Sequence, residues 1–292
     1  MTRRIPRSAT RHLPFSRREG WLGAVGLLAI AGVSPAAAQQ SDRLPFFAGE
    51  QLSYRVRVSK VGSVGRGAMT VEGPVSVRGT EAYLLRFEFR TRVGFISAEN
   101  RTESWLDPNR MASLRFRKRE RHPLSRHDES VELFPEERRW DAGNGQTGQS
   151  PTDAPLDELS FIYAIRTIPL PADTSYQLDR HFDGARNPVT LRVLGRDTIR
   201  TGAGTFPAVL VEMRVKDGRR YKGEGVIRIH FSDDDARLPL RIESSMPVLG
   251  TVVFTLESRT ERPARPAPVT ASGGEGANAA VVKSAAALSG VP

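Results

Sequence analysis

Apolar and polar side chains alternate with period two through much of the stretch between Ser41 and Arg262. Leu52, Tyr54, Val56 and Val58 fall on one side, with Ser53, Arg55, Arg57 and Ser59 between them. Tyr83, Leu85, Phe87 and Phe89 alternate with Leu84, Arg86, Glu88 and Arg90, and Val209 to Val215 alternates likewise with Leu210, Glu212, Arg214 and Lys216. Ile227, Ile229 and Phe231, then Leu238, Leu240 and Ile242, then Val252, Phe254 and Leu256, repeat the pattern. Successive strand residues point to opposite faces, so each run predicts an antiparallel strand with one buried and one solvated face. Turn-forming residues punctuate the runs at Gly73-Pro74, Asp107-Pro108-Asn109, Asp217-Gly218 and Asp233-Asp234-Asp235. The outward positions mix arginine with glutamate, as on a wet sheet face with cross-strand ion pairs. A lipid-facing barrel would need an apolar outer band there instead.

Leu156 to Ile168 breaks the alternation. Leu156, Leu159, Phe161, Ile162, Tyr163 and Ile165 make it apolar on nearly every side, which predicts a fully buried helix. Pro155 and Asp157-Glu158 suit its N-terminus, and Pro169 and Pro171 end it. The expected fold is mostly β: a large curved antiparallel sheet, half-barrel-like, wrapped around one central apolar helix. Its concave face could hold an apolar or lipidic ligand. Candidate lining residues are Phe87, Phe89, Trp105, Phe116, Phe161 and Tyr163, each of which reads equally well as filler of a closed core.

The two ends differ from this body. Residues 1–38 hold six arginines and one glutamate before an apolar run from Trp21 to Val33, followed by Ala36-Ala37-Ala38. The run is too short for the roughly 20 residues of a spanning helix and has the flanks of a secretory signal peptide, with cleavage near Ala38. Ser16-Arg17-Arg18 before Trp21-Leu22 is similar to a twin-arginine signal, although Gly20 stands where that signal prefers a large apolar residue. Residues 263–292 are rich in Pro, Ala, Gly and Ser, and predict a disordered tail. The expected location is periplasmic or secreted, with no transmembrane span in the mature chain.

Composition narrows the chemistry. The chain of 292 residues carries a formal charge of +10, with 38 of its 43 basic residues arginine. Removing residues 1–38 leaves 37 basic and 32 acidic residues, a net of +5, so nucleic acid is not an expected partner despite the run Arg115-Phe116-Arg117-Lys118-Arg119. The absence of cysteine excludes disulfides, thiolate metal sites and cysteine nucleophiles. His122, His127 and Asp128 sit among Arg119, Arg121 and Arg126, where a cation would be repelled. The spacing of Asp233-Asp234-Asp235 is wrong for a calcium loop. His181 and His230 read as turn and strand residues. No nucleophile elbow, phosphate loop, dinucleotide fingerprint or zincin motif occurs, and the glycine-rich Gly62 to Gly67 reads as a hairpin or bulge. No catalytic, cofactor or metal residue is therefore assigned.

Several blocks in order resemble a bacterial envelope family, domain of unknown function 3108. They are Pro45 to Tyr54 (with Gly49, Glu50 and Tyr54), the Gly65-Arg66-Gly67-Ala68 turn, and Leu156 to Arg166 (with Asp157, Ser160 and Arg166). Further on come Thr201 to Ala208 (with Gly204, Thr205 and Phe206), Ile229 to Leu240 (with Asp235, Arg237 and Pro239), and Gly250. His230-Phe231 departs from an apolar–Trp pair. The resemblance implies a secreted or periplasmic β-rich domain and no reaction. A non-enzymatic carrier of a lipid or other envelope component is expected first. A structural or assembly factor contacting an envelope protein comes second, and an envelope hydrolase third.

Overall fold

The computed structural model describes residues 44–59, 62–93, 96–122, 125–216, 224–246 and 250–263. The expected signal peptide, the tail beyond residue 263 and the Asp217-Gly218 turn lie outside these residues.

Fourteen strands form one antiparallel sheet. They are β1 (Gln51–Val58), β2 (Gly62–Val77), β3 (Thr80–Val93), β4 (Ile96–Asp107), β5 (Ala112–His122), β6 (Ser125–Phe134), β7 (Arg139–Asp141) and β8 (Thr147–Gln149), then β9 (Ser175–Leu178), β10 (Val189–Thr201), β11 (Gly204–Lys216), β12 (Glu224–Ser232), β13 (Pro239–Met246) and β14 (Gly250–Arg259). Their order is β8-β7-β6-β5-β4-β3-β2-β1-β14-β13-β12-β11-β10-β9, so the sheet is open, with short β8 and β9 at its edges. β1 lies in the middle of the sheet, and β14 returns to pair with it through Tyr54↔Leu256 and Val56↔Phe254.

Alternation sorts the two faces as expected. In β1, Leu52, Tyr54, Val56 and Val58 are buried and the residues between them exposed. The buried row continues across the sheet through Val211, Ile229, Ile242, Phe254 and Val56. On the opposite face Arg101 pairs with Glu88 (3.1 Å) and Glu103 (2.7 Å), and Arg90 with Glu99 (2.9 Å). Exposed pairs of this kind contribute little stability individually and mainly keep the face wet.

Three sequence expectations need correction. Gly73-Pro74 is not a turn: β2 runs through it, with a register shift between Glu72 and Val75. Gly65 to Ala68 is also strand, and Val56↔Gly65 beside Arg57↔Ser63 leaves Val64 as the extra residue of a bulge. The helix, α1, spans only Ser160–Ile165. Leu156 is held outside it by a bridge to His181, and the Asp157 carboxylate accepts from the N–H groups of Leu159 (2.9 Å) and Ser160 (3.0 Å), which delays the first helical turn. Beyond Ile165, Pro169 has no N–H to extend a ladder. The 13-residue central helix is thus less than two turns.

That short helix is nevertheless buried, and it sits at the end of the sheet where β2 meets β3, β4 meets β5 and β12 meets β13. Phe46 packs edge-on against Tyr163 (5.0 Å) and Tyr83 (6.3 Å), and the Ser113 hydroxyl donates to Ser160 Oγ (2.8 Å). The β10–β11 tip reaches back to this end of β14, where Gly202 N–H donates to Leu256 O (3.0 Å). A Cβ on Gly202 would stand 3.0 Å from Glu257 Cα, so this contact leaves little room for a side chain. Among the described residues no helix is long and apolar enough to cross a membrane.

Candidate functional site

Two networks fasten the helix end, and they gather six of the residues that carried the family resemblance: Glu50, Tyr54, Asp157, Ser160, Arg166 and Pro239. Glu50, just before β1, meets Arg166, just after α1, in a two-pronged pair of 2.6 and 2.8 Å. Both side chains are almost wholly buried (3% and 0% exposed), so the pair is shielded from solvent. Arg166 also donates to Pro45 O (2.8 Å) and Ala236 O (3.0 Å), and the Tyr54 hydroxyl donates to Pro239 O (2.9 Å). Three chain segments, separated by 70 to 185 residues in sequence, are thereby tied together. Asp157 makes the second network: its carboxylate accepts from the Ser104 hydroxyl, and Ser160 Oγ accepts from Asp157 N–H (2.8 Å). Burial raises the Asp157 pKa, against the lowering from these hydrogen bonds. Asp157, Ser160, Ser104 and Ser113 are fully buried, so no substrate reaches them. Glu158, next in the chain, accepts from Lys118 and from Arg186 (3.0 Å).

The other motif residues hold turns and close contacts. Gly49 (φ +98°) and Gly204 (φ +131°) adopt backbone conformations that favour glycine. Thr205 is exposed, and Phe206 lies beneath Arg259 (5.6 Å). Asp235 is exposed in the β12–β13 turn, Arg237 approaches Asp233 (3.6 Å), and Gly250 opens β14 opposite Met246.

Of the proposed lining residues, three are sealed. Phe161 and Tyr163 of α1 are 2% and 0% exposed in the main core, and Phe116 is 1% exposed in a smaller cluster with Val131, Leu133 and Phe182. None has surface to offer a ligand. Trp105 is on the opposite face, under Arg115 and Arg117 (each 5.4 Å) and beside Val77, Ala82 and Leu114, because its partner across the ladder is the outward Leu84. Phe87 and Phe89 are different. They stand on the inner face and remain partly exposed, packed with Phe254 at 5.3 and 5.4 Å. Gly67 lies against this trio: a Cβ there would stand 3.4 Å from Phe254 and from Phe89, in ordinary contact with both.

Next to the trio the same face turns polar. The ladder runs Phe87↔Thr102↔Lys118↔Glu129 and Phe89↔Asn100↔Glu120↔His127 across β3 to β6. Beyond it opens a cleft of about 590 Å³ lined by Lys118, His127, Glu129, Trp140, Phe182 and Arg186, among others. Sequence reading missed this cleft. Trp140 and Phe182 sit in short segments without periodicity, and only the topology brings them beside β5 and β6. His181, between Phe161 (6.3 Å, stacked) and Phe182 (4.6 Å), joins the two clusters, and burial lowers its pKa to about 4, with Arg186 adding to the effect. Among the described residues no group of three or more His, Asp or Glu is placed to hold a metal ion.

The fold is thus that of a single-sheet antiparallel β protein whose marked residues secure one end of the sheet. The chain belongs to the family described as "Protein of unknown function (DUF3108)", whose model matches residues 29–257. No curated protein matches it. Among solved structures it is similar to a β-barrel-like protein of domain of unknown function DUF1849 from Brucella abortus, at 12% identity and a TM-score of 0.45, covering 74% of this chain and 98% of that one. It is also similar to a candidate lipoprotein from Parabacteroides distasonis (10% identity, TM-score 0.33, 74% and 97% covered). A third is a candidate exported protein with a YmcC-like fold from Bacteroides fragilis (11% identity, TM-score 0.30, 75% and 98% covered).

Proposed function

We propose that this is an exported, non-enzymatic envelope protein that carries an apolar or lipidic ligand on the inner face of a half-barrel-like sheet, with α1 stopping one end. The observation that carries this reading is the incomplete burial of Phe87 and Phe89. Their neighbours across the ladder, Met69, Leu52 and Tyr54, are at most 1% exposed, yet these two rings keep accessible surface on the core side. Val215 and Ile227 are likewise only partly buried, and all four lie towards the end of the sheet away from α1. Elsewhere the protein rarely leaves large apolar groups in water: among the described residues Leu194 alone counts as an exposed one. Apolar surface that a fold leaves open beside its core is a natural place for an apolar ligand. The export signal read from residues 1–38 supplies the compartment. Assembly by strand addition is less favoured, because the edge strands β8 and β9 offer only three and four residues.

The test is binding of cis-parinaric acid, a fluorescent fatty acid, by the wild type and by a Phe87→Ser, Phe89→Ser double variant. Saturable binding that weakens by about tenfold or more in a folded double variant is expected. Equal binding by both would place the ligand elsewhere and overturn this assignment.

A further inference from the structure

We infer that the polar cleft beside the phenylalanine trio binds a neutral saccharide ring, so that the cargo is a lipid with a sugar head; the lipid part rests on the carrier reading above. The register sets the two regions on neighbouring strands of one face, with the buried Thr102 and Lys118 between Phe87 and Glu129.

Two features point to a sugar rather than a charged head. The first is that most charges of the cleft already face an opposite charge. Lys118 and Arg186 both donate to Glu158, Arg186 also approaches Asp183 (3.8 Å), Arg119 approaches Asp128 (3.6 Å) and His127 faces Glu129 (3.4 Å). Arg117 is turned over the Trp105 ring instead. A head with net charge would face a like charge wherever it met its counter-ion, which is costly at a partly desolvated surface. A hydroxyl both donates and accepts, so it can sit between a carboxylate and a cation without disturbing either. The second feature is aromatic. Trp140 is wedged over Gly148, where a Cβ would be 2.4 Å from its ring, and meets the edge of Phe182 at 5.8 Å. Its ring is thus fixed in place yet still partly exposed. A rigid aromatic surface beside paired charges suits a ring that is apolar on its C–H face and polar at its rim.

The experiment titrates the exported protein with three probes below their micelle concentrations: dodecyl maltoside, dodecylphosphocholine and maltose. Dodecyl maltoside should bind about tenfold or more tightly than dodecylphosphocholine. Trp140→Ala and Glu129→Gln should each erase that preference while leaving dodecylphosphocholine binding intact, which also shows that the variants fold. Competition by maltose would mean that free saccharide is also accepted, and lack of competition that the sugar is read only as a lipid head; either is consistent with the cleft. Equal binding of the two detergents, unchanged by the variants, would overturn the sugar assignment and leave the carrier intact. Maltose binding without detergent binding would overturn the carrier alone, and no binding of any probe would overturn both.

Discussion

At the scale of single residues, the buried polar groups decide most. Glu50 and Arg166 neutralise one another where neither could be solvated, so removing one partner strands the other. Glu50→Gln or Arg166→Met should each destabilise the protein by about 3–5 kcal/mol, as for other broken buried pairs. Glu50→Leu combined with Arg166→Met should recover part of that loss, as chemical denaturation of the four proteins would reveal. His181 gives a pH signature. Its imidazole, ordinarily near 6.5, is held near 4 by burial, with Arg186 adding to the effect. The unfolded chain therefore takes up the proton more readily than the folded one. Stability from this group is complete above about pH 6.5 and is lost as pH falls towards 4, by about 3 kcal/mol. Asp157, whose carboxyl is raised by burial, has the opposite sign: its contribution is present at low pH and fades as pH rises. Comparing the wild type with His181→Gln across this range isolates the histidine, and the difference between them should shrink as the solution is acidified.

At the scale of elements, legibility followed the hydrophobic signal. β1, β3 and β11 to β14 were readable because their inner faces are apolar, so period two stands out. The runs that became β4, β5 and β6 gave no such signal, since their inner positions hold Asn100, Thr102, Lys118, Glu120 and Glu129. The strands that were hardest to read are the ones that build the polar wall. The helix was over-read for the converse reason. Leu156 to Ile168 is apolar throughout, and nothing in the composition reveals that Asp157 would turn its carboxylate back on the backbone or that Leu156 would bridge to His181. The partner of Arg166 was equally hidden, because Glu50 lies over a hundred residues away. Gly65 offers a test of how tightly these elements pair. A Cβ there would come within 2.0 Å of Arg90 O on β3, a backbone atom that can yield only by moving the strand. Gly65→Ala should cost about 1–3 kcal/mol by overpacking, whereas Gly184→Ala, with nothing within 4 Å, should be near neutral in thermal melts.

At the scale of the whole molecule, one end of the sheet is fastened and the inner face stays partly open away from it. The Glu50–Arg166 and Asp157–Ser104 networks, with Tyr54 on Pro239, hold α1 against the strand ends. Burial then declines along the inner face to Phe87, Phe89, Val215 and Ile227. A protein so built keeps its shape through residues remote from its open apolar surface. The most direct measurement is native mass spectrometry of the protein purified from envelope extract, followed by solvent extraction of whatever it retains. A carrier should appear with a stoichiometric lipid that is lost in the Phe87→Ser, Phe89→Ser double variant. A bare protein mass, unchanged after incubation with envelope lipids, would contradict a carrier function.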